Sequence, residues 1–526
     1  MIEKYFNYFV FFFFVALFAL LSLLNYQVPF VYDDVPQVLG NAKLYNLFDF
    51  LAIMNDPYRP SRLIQNITFA FNAMISLNRP WSYHLFNNLF HLLNTVLVFK
   101  LLGSFGVKQR FILFFTCLIF FVHPLQIEPV TYIMGRVELL KTFTTLVLIY
   151  LYLHHTKRRF LIYFILILSL LVKETCALVP LLFLAIDVII YQKPLRTLDW
   201  KNHLLYLSHP LWFYVFAFFI RFDIHSGVTG FSLFPVLQYC LSNLYYLLFY
   251  FYLFLNPSEQ AIYHEWNSNP SYWTIAFGGI VYLGCLYFLL KKYRQYPRLA
   301  FAMVFFLLSF LPNNSILQYV NPFAEYRLYQ SNIVLGLFIV ILVHFLFSSA
   351  RLKIIIISLM ASYFLVFHFF HLRTWKHTFF IWSYALEKYP NSITINTNIG
   401  VYYLKKNFCK TAEKYFLHVC SGEHLFSHQI IACSKNLLTI ELGKGNPIKA
   451  YEKIQALENN QNYEKEPSYY RTYLFISQFL KNRQIYEKTL LKAQKDFPHI
   501  FGEMTSKDYI ATMPSDFTSP CFKTEK

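Results

Sequence analysis

Two adjacent carboxylates, Asp33 and Asp34, follow Tyr32 just after the first long apolar run. Side by side at a membrane surface they repel each other, which raises the pKa of one of them. That suits a general base taking a proton from an acceptor hydroxyl; the same pair would also serve as a solvated turn or a helix N-cap. A second group gathers His123, Glu128, Arg136 and Glu138 in one short stretch after another apolar run, which has the look of a site. Lys173-Glu174 is a third group, equally readable as a snorkelling lysine beside a glutamate favoured at a helix N-terminus. Asn313, Asn314, Glu325, Tyr326, Arg327 and Tyr329 make the fourth. Arg136 and Arg327 carry the planar donor fork that holds a phosphate bidentately, and each would equally suit a headgroup contact. Arg59 and Arg62 are weaker candidates. Motifs for other chemistries are absent: no Walker P-loop, CxxC pair, HExxH zinc site or serine elbow occurs, and no spacing calls for a metal or other cofactor.

The elements that must position these residues are set by composition. Of 526 residues, 56% are hydrophobic, 21% aromatic and 14% charged, where soluble domains carry about 25% charge. That excludes a disordered chain, a collagen and an ordinary cytosolic enzyme, and points to an all-α, polytopic membrane protein. The net charge of +18 is read as Lys and Arg distributed among loops, not as a nucleic-acid surface. Polar composition rises near residue 372. We therefore expect a membrane domain over 1–371, a water-soluble domain over 372–500 and a tail over 501–526. Apolar runs of near-spanning length, beginning with an uncleaved helix at 6–26, give about eleven transmembrane helices. The run 231–255 fits best as a re-entrant or surface-lying segment, and 61–78 as an interfacial helix.

With the N-terminus inside, the short cytoplasmic loops hold Lys108, Arg110, Lys157, Arg158, Arg159, Lys193, Arg196, Lys201, Lys291, Lys292, Arg294, Arg298, Arg351 and Lys353 against the single acid Asp199. Most acids of 1–371 fall on the other face, together with the soluble domain. There the spacing of Gly400, Tyr403, Ala412 and Phe416, preceded by Trp382, Ala385 and Pro390, predicts a tetratricopeptide-type array over 375–498. Weaker copies hold Gly445, Ala450 and Ile454, then Lys481, Leu490, Ala493 and Pro498. Generic helical hairpins are the plainer alternative. Cys409, Cys420, Cys433 and Cys521 lie where oxidation is possible; the other four cysteines sit in apolar spans as packing residues.

The run His123-Pro124-Leu125-Gln126-Ile127-Glu128-Pro129-Val130-Thr131-Tyr132-Ile133, with Gly135-Arg136 and Glu138-Leu139-Leu140, resembles the transmembrane and tetratricopeptide repeat containing family, whose eukaryotic members are protein O-mannosyltransferases and which has bacterial relatives. Tyr32-Asp33-Asp34, Tyr58-Arg59-Pro60, then Pro80, Tyr83-His84, Asn87, His91 and Asn94, then Lys173-Glu174-Thr175 with Asp187, then 311–315 and 324–329 agree in order. Gln330-Ser331 departs from the family's usual Leu-Pro. The resemblance implies a GT-C type glycosyltransferase that moves a sugar from a polyprenyl-phosphate donor to a protein or envelope-glycan hydroxyl on the outer face. It implies Asp33 or Asp34 as the base, with Asp33 favoured. Arg136, Lys173 and Arg327 would stabilise the departing phosphate, and His123, Glu128, Glu138, Glu174 and Glu325 would organise the site or bind acceptor. Composition suggests a bacterial inner membrane with a periplasmic repeat domain. The alternatives are a lipid-linked oligosaccharide ligase or polymerase, a non-catalytic scaffold, and a transporter.

Overall fold

A computed structural model describes residues 2–54, 56, 62–211, 233–265, 271–310, 323–420, 482–496 and scattered positions between 436 and 480. Arg59, Asn313, Asn314, the weaker repeat positions Gly445, Ala450, Ile454, Lys481 and Pro498, Cys433, Cys521 and the tail 501–526 lie outside them. The chain divides into two compact units, 1–377 and 378–526. The division falls past the compositional shift because helix Ala350–Trp375 runs on through it.

Among the described residues the regular structure is helical throughout. Among the described residues, five helices are long and apolar enough to cross a membrane: Tyr5–Asn25, Trp81–Ser104, Ile133–His154, Tyr272–Lys292 and Ala350–Trp375. Arg110–Val122 and Pro124–Thr131 together make a sixth if a pair bent by 56° counts as one span. This is fewer than the eleven expected. Several apolar runs fold as shorter helices, Arg159–Leu170, Pro297–Phe310 and Asn332–Leu346 among them. At 1.5 Å per residue these fall short of a hydrocarbon core about 30 Å thick. These shorter helices still leave large apolar side chains exposed, Phe160, Phe164, Phe338 and Phe345 among them. Leu233–Leu255 is one continuous helix, and its Leu244 carbonyl backs onto Gly278 of Tyr272–Lys292, so closely that a Cβ there would lie 2.4 Å from that oxygen.

The first unit has two polar ends. At one, Arg298 Nε donates to the Phe105 carbonyl at 2.6 Å, Gln192 Nε2 to the Arg294 carbonyl at 2.8 Å, and Ser104 Oγ lies 2.8 Å from His154 Nε2. Arg159 reaches Asp199 at 3.7 Å. These contacts gather the basic loops that the sequence assigns to one face. The other end carries the acidic turns described below.

Helix Leu63–Ser76 lies at that second end. It buries Gln65, Asn66, Asn72 and Ser76 against the protein and leaves Met74 and Ile75 exposed. Phe69, Ala70 and Ala73 are buried beside them.

In the second unit, helices Ile393–Lys405 and Cys409–Cys420 pack as a hairpin. A Cβ on Gly400 would lie 2.6 Å from the Phe416 ring, so the glycine that the repeat spacing singles out is where the two helices approach. Ala412 and Phe416 are fully buried, as is Ala385 in the preceding helix Thr378–Lys388. Cys409 and Cys420 are both disulfide-bonded. They stand at opposite ends of one helix, about 16 Å apart by helical rise, so they are not bonded to each other and two bridges leave this helix. Cys117, Cys176 and Cys285 are free, and the first two are buried.

Candidate active site

The site is built on the stretch 123–138. The structure makes it three short turns, Pro124–Gln126, Ile127–Thr131 and Ile133–Gly135, leading into helix Arg136–His154, with every residue buried. Broken helices leave backbone groups unpaired, which apolar surroundings do not tolerate. A polar stripe on helix Trp81–Ser104 satisfies them. His84 lies 2.8 Å from the Val28 carbonyl. Asn87 donates to the carbonyls of Val130 and Tyr132, His91 to that of Phe121, and Asn94 to that of Leu139. All four are buried at helical spacing, so one helix face holds an irregular chain in place. Gly135 is needed for the same packing. A Cβ there would meet the Pro129 carbonyl oxygen at 2.6 Å and Pro129 Cα at 2.8 Å. Gly135→Ala is expected to destabilise the protein by about 1–3 kcal/mol, read as a lower midpoint in a detergent thermal melt, with less active protein recovered.

His123 accepts from Leu125 N at Nδ1 and therefore donates from Nε2 to the Phe254 carbonyl at 2.9 Å. It is a neutral imidazole that ties the end of Leu233–Leu255 to the site. Glu128 Oε2 accepts from Tyr326 N at 2.9 Å. Glu325 Oε1 accepts from Ala261 N at 2.7 Å and from His264 Nε2 at 2.6 Å. Arg327 interacts electrostatically with both Glu128 and Glu138. The late cluster is thus joined to the early one.

The geometry does not support Arg136 as a phosphate ligand. Its guanidinium is fully buried and donates to Asn87 Oδ1 at 2.7 Å, Asn72 Oδ1 at 2.6 Å, Thr68 Oγ1 at 3.1 Å and the Tyr83 carbonyl at 2.9 Å, over the Phe69 ring. Its fork clamps two helices.

Asp33 and Asp34 part company in the same way. Tyr32 has a φ of 50°, a left-handed conformation uncommon for a bulky residue, and turns the chain sharply just before them. Asp34 is fully buried. Its Oδ1 accepts from Met134 N at 2.9 Å and its Oδ2 from Val31 N at 3.2 Å, so it pins the first loop to the central turns. Asp33 is half-buried, beside it. Burial pushes the Asp34 carboxyl up to about 8, against the opposing pull of the backbone N–H bonds; the charge of Asp33 contributes least. A raised pKa is present in the pair, then, but its main cause is desolvation, not mutual repulsion.

This shift has a signed consequence. An unfolded Asp titrates near 3.8, so between that pH and about 8 the folded state holds the extra proton. The stability it contributes is full below the unfolded value and is lost as pH rises through the folded one. The thermal midpoint is expected to fall from about pH 5 to about pH 9, and to fall less in Asp34→Asn, which stays neutral. Thermal melts of the two proteins across that range check it.

Lys173 is not a snorkelling residue. It is buried and bonds Glu138 Oε1, while Lys141 Nζ lies 2.5 Å from Glu138 Oε2. Glu174 is half-exposed, 3.9 Å from Arg62. Lys141 is the residue that sequence reading missed; the signal was a lysine inside an apolar helix, three positions after Glu138. Among the described residues no group of three or more His, Cys, Asp or Glu side chains could hold a metal ion.

The chain is similar over part of its length to protein O-mannosyl-transferases. It is 35% identical over 127 residues to mouse (Mus musculus) protein O-mannosyl-transferase TMTC3, a match covering 22% of this chain and 13% of the relative. The human (Homo sapiens) TMTC3 is 34% identical over 127 residues, and human TMTC1 is 29% identical over 126. The match thus spans 13–14% of the length of these relatives. No family model matches the chain, and no solved structure matches it.

Proposed function

We propose that the protein is an integral-membrane glycosyltransferase of GT-C type, moving a sugar from a polyprenyl-phosphate donor to a hydroxyl of a protein or envelope glycan at the acidic end of its helices. The observation that carries this is the assembly, at one end of the first unit, of a half-buried carboxylate, a buried lysine group and a rigid polar scaffold, in a chain similar to O-mannosyl-transferases. Asp33 is the base: it sits at the turned loop, while both oxygens of Asp34 accept backbone N–H bonds. As the acceptor oxygen attacks the anomeric carbon, Asp33 takes its proton and the lipid phosphate departs. Lys173 and Arg327 supply positive charge where that negative charge develops. Asp34, Arg136, His123, Glu128 and Glu325 position the loops, and Glu138 holds Lys173. Glu174 with Arg62 lies at the rim.

The two disulfides leaving Cys409–Cys420 support a compartment outside the reducing cytosol for the second unit. For a bacterial chain that is the periplasm, beyond an inner membrane. There the hairpins, read as tetratricopeptide-type repeats, would present acceptor protein.

A double variant, Asp33→Ala/Asp34→Ala, separates an enzyme from a scaffold. An enzyme loses a glycan while the partners of the protein still assemble. If the glycan persists with the variant as the sole copy, the transferase reading fails.

A further inference from the structure

At the basic end of the first unit, helices Arg159–Leu170 and Trp200–Leu207 start side by side. Arg159 pairs with Asp199 at 3.7 Å, and the Tyr163 hydroxyl lies 3.3 Å from Ser208 Oγ. Lys157, Arg158, Arg196 and Lys201 stand within a few positions of that pair. All four are exposed, and none has an ion-pair partner among the described residues. The other acid here, Asp187, is already bonded to Lys193, Tyr152 and His203. Four unpaired cations so close together repel one another and attract anions. Away from this rim, both helices turn apolar side chains outward. Phe160 is 88% exposed and Phe164, one turn on, 57%. On the second helix Trp200, Leu204 and Leu207, and Leu211 just beyond it, are exposed at helical spacing, on one face. His203 and Tyr206, on the other side, are buried. Trp200 Nε1 donates to the Leu195 carbonyl at 2.9 Å, so the exposed ring carries no unsatisfied donor. From Trp200 to Leu211 the stripe runs about 16 Å, which is about half of a hydrocarbon core roughly 30 Å thick.

We infer that this face binds anionic phospholipid, with Lys157, Arg158, Arg196 and Lys201 holding the charged headgroups and Phe160, Trp200 and Leu204 packing against the acyl chains. A basic rim above an apolar stripe one leaflet deep is complementary to such a lipid along its whole length. An acidic soluble protein would match the rim and leave the stripe in water. The face lies at the end of the helices opposite Asp33 and does not rest on the glycosyltransferase reading.

The test reads Trp200 itself. The purified full chain is placed in phosphatidylcholine nanodiscs with a minor share of bromine-labelled lipid, either phosphatidylglycerol or phosphatidylcholine, and quenching of tryptophan fluorescence is followed. The difference between wild type and Trp200→Phe isolates the Trp200 signal. Labelled phosphatidylglycerol is expected to associate about tenfold or more in preference to labelled phosphatidylcholine. The fourfold variant Lys157→Gln/Arg158→Gln/Arg196→Gln/Lys201→Gln should bring the two lipids level. If that variant does not accumulate, wild type in about 1 M salt, where the screening length falls to about 3 Å, should lose most of the preference and decides instead. Equal quenching by the two labelled lipids in wild type overturns the inference. So does a preference that survives the fourfold variant or, in its absence, high salt. Quenching by neither lipid overturns it as well, and would put a protein on this face.

Discussion

Asp33→Asn should abolish sugar transfer while leaving the protein folded. The substitution keeps shape and removes only the ability to accept a proton. Loss of a general base typically lowers rate by about 10²–10⁴-fold. Asp33 is half-buried and follows the left-handed turn at Tyr32, so accumulation and melting should stay close to wild type. Asp34→Asn should behave in the opposite sense. Its amide cannot accept the Val31 N–H bond, so the variant loses about 1–3 kcal/mol of stability but keeps measurable transfer. The informative quantity is the split between turnover per folded molecule and amount of folded molecule. Should Asp34→Asn lose all turnover at full stability while Asp33→Asn stays active, the two roles are reversed.

Glu138→Gln should be the most damaging single change to folding. It strips the one carboxylate that Lys141 and Lys173 share and leaves two buried ammonium groups facing a neutral amide. Removing one partner of a buried ion pair typically costs about 3–5 kcal/mol, a large part of the stability of an ordinary protein. The expected result is near-complete loss of folded protein in membranes, by detergent-resistant size-exclusion recovery. The triple variant Glu138→Leu/Lys141→Met/Lys173→Met removes every charge together, and similar replacements elsewhere are often neutral or stabilising. It should therefore recover folding and remain inactive. If Glu138→Gln folds as wild type does, Lys141 and Lys173 are not held as charges by Glu138.

Much of this site was legible in the sequence because polar residues inside apolar runs need a reason to be there. His84, Asn87, His91 and Asn94 recur at helical spacing within an apolar helix, and the structure gives the reason: each bonds a backbone carbonyl of a neighbouring segment, Val28 and Val130 in the loop and short turns, Phe121 and Leu139 at the ends of helices Arg110–Val122 and Arg136–His154. Sequence alone marks that stripe without saying what it faces. The same limit separates Arg136 from a phosphate. A guanidinium fork fits four protein acceptors as well as it fits an anion, and only the fold brings Asn72, Thr68, Tyr83 and Asn87 around it. Asp33 and Asp34 are indistinguishable as letters; Met134 N, a hundred positions away, distinguishes them. Lys141 escaped notice because the second lysine on Glu138, Lys173, comes from another segment. The number of crossings is not legible in the sequence, because short apolar helices and spans share one composition. The Gly400–Phe416 approach was readable because repeat spacing encodes it within one hairpin.

The measurement closest to the central claim is direct transfer by the purified protein in proteoliposomes. Radiolabelled polyprenyl-phosphate sugars, mannose among them, would be supplied with hydroxyl-bearing protein and glycan acceptors. The account predicts label moving to an acceptor from at least one donor, lost in Asp33→Asn at equal folded protein. It is contradicted if folded wild type binds a donor yet moves no label, or if Asp33→Asn transfers as fast as wild type.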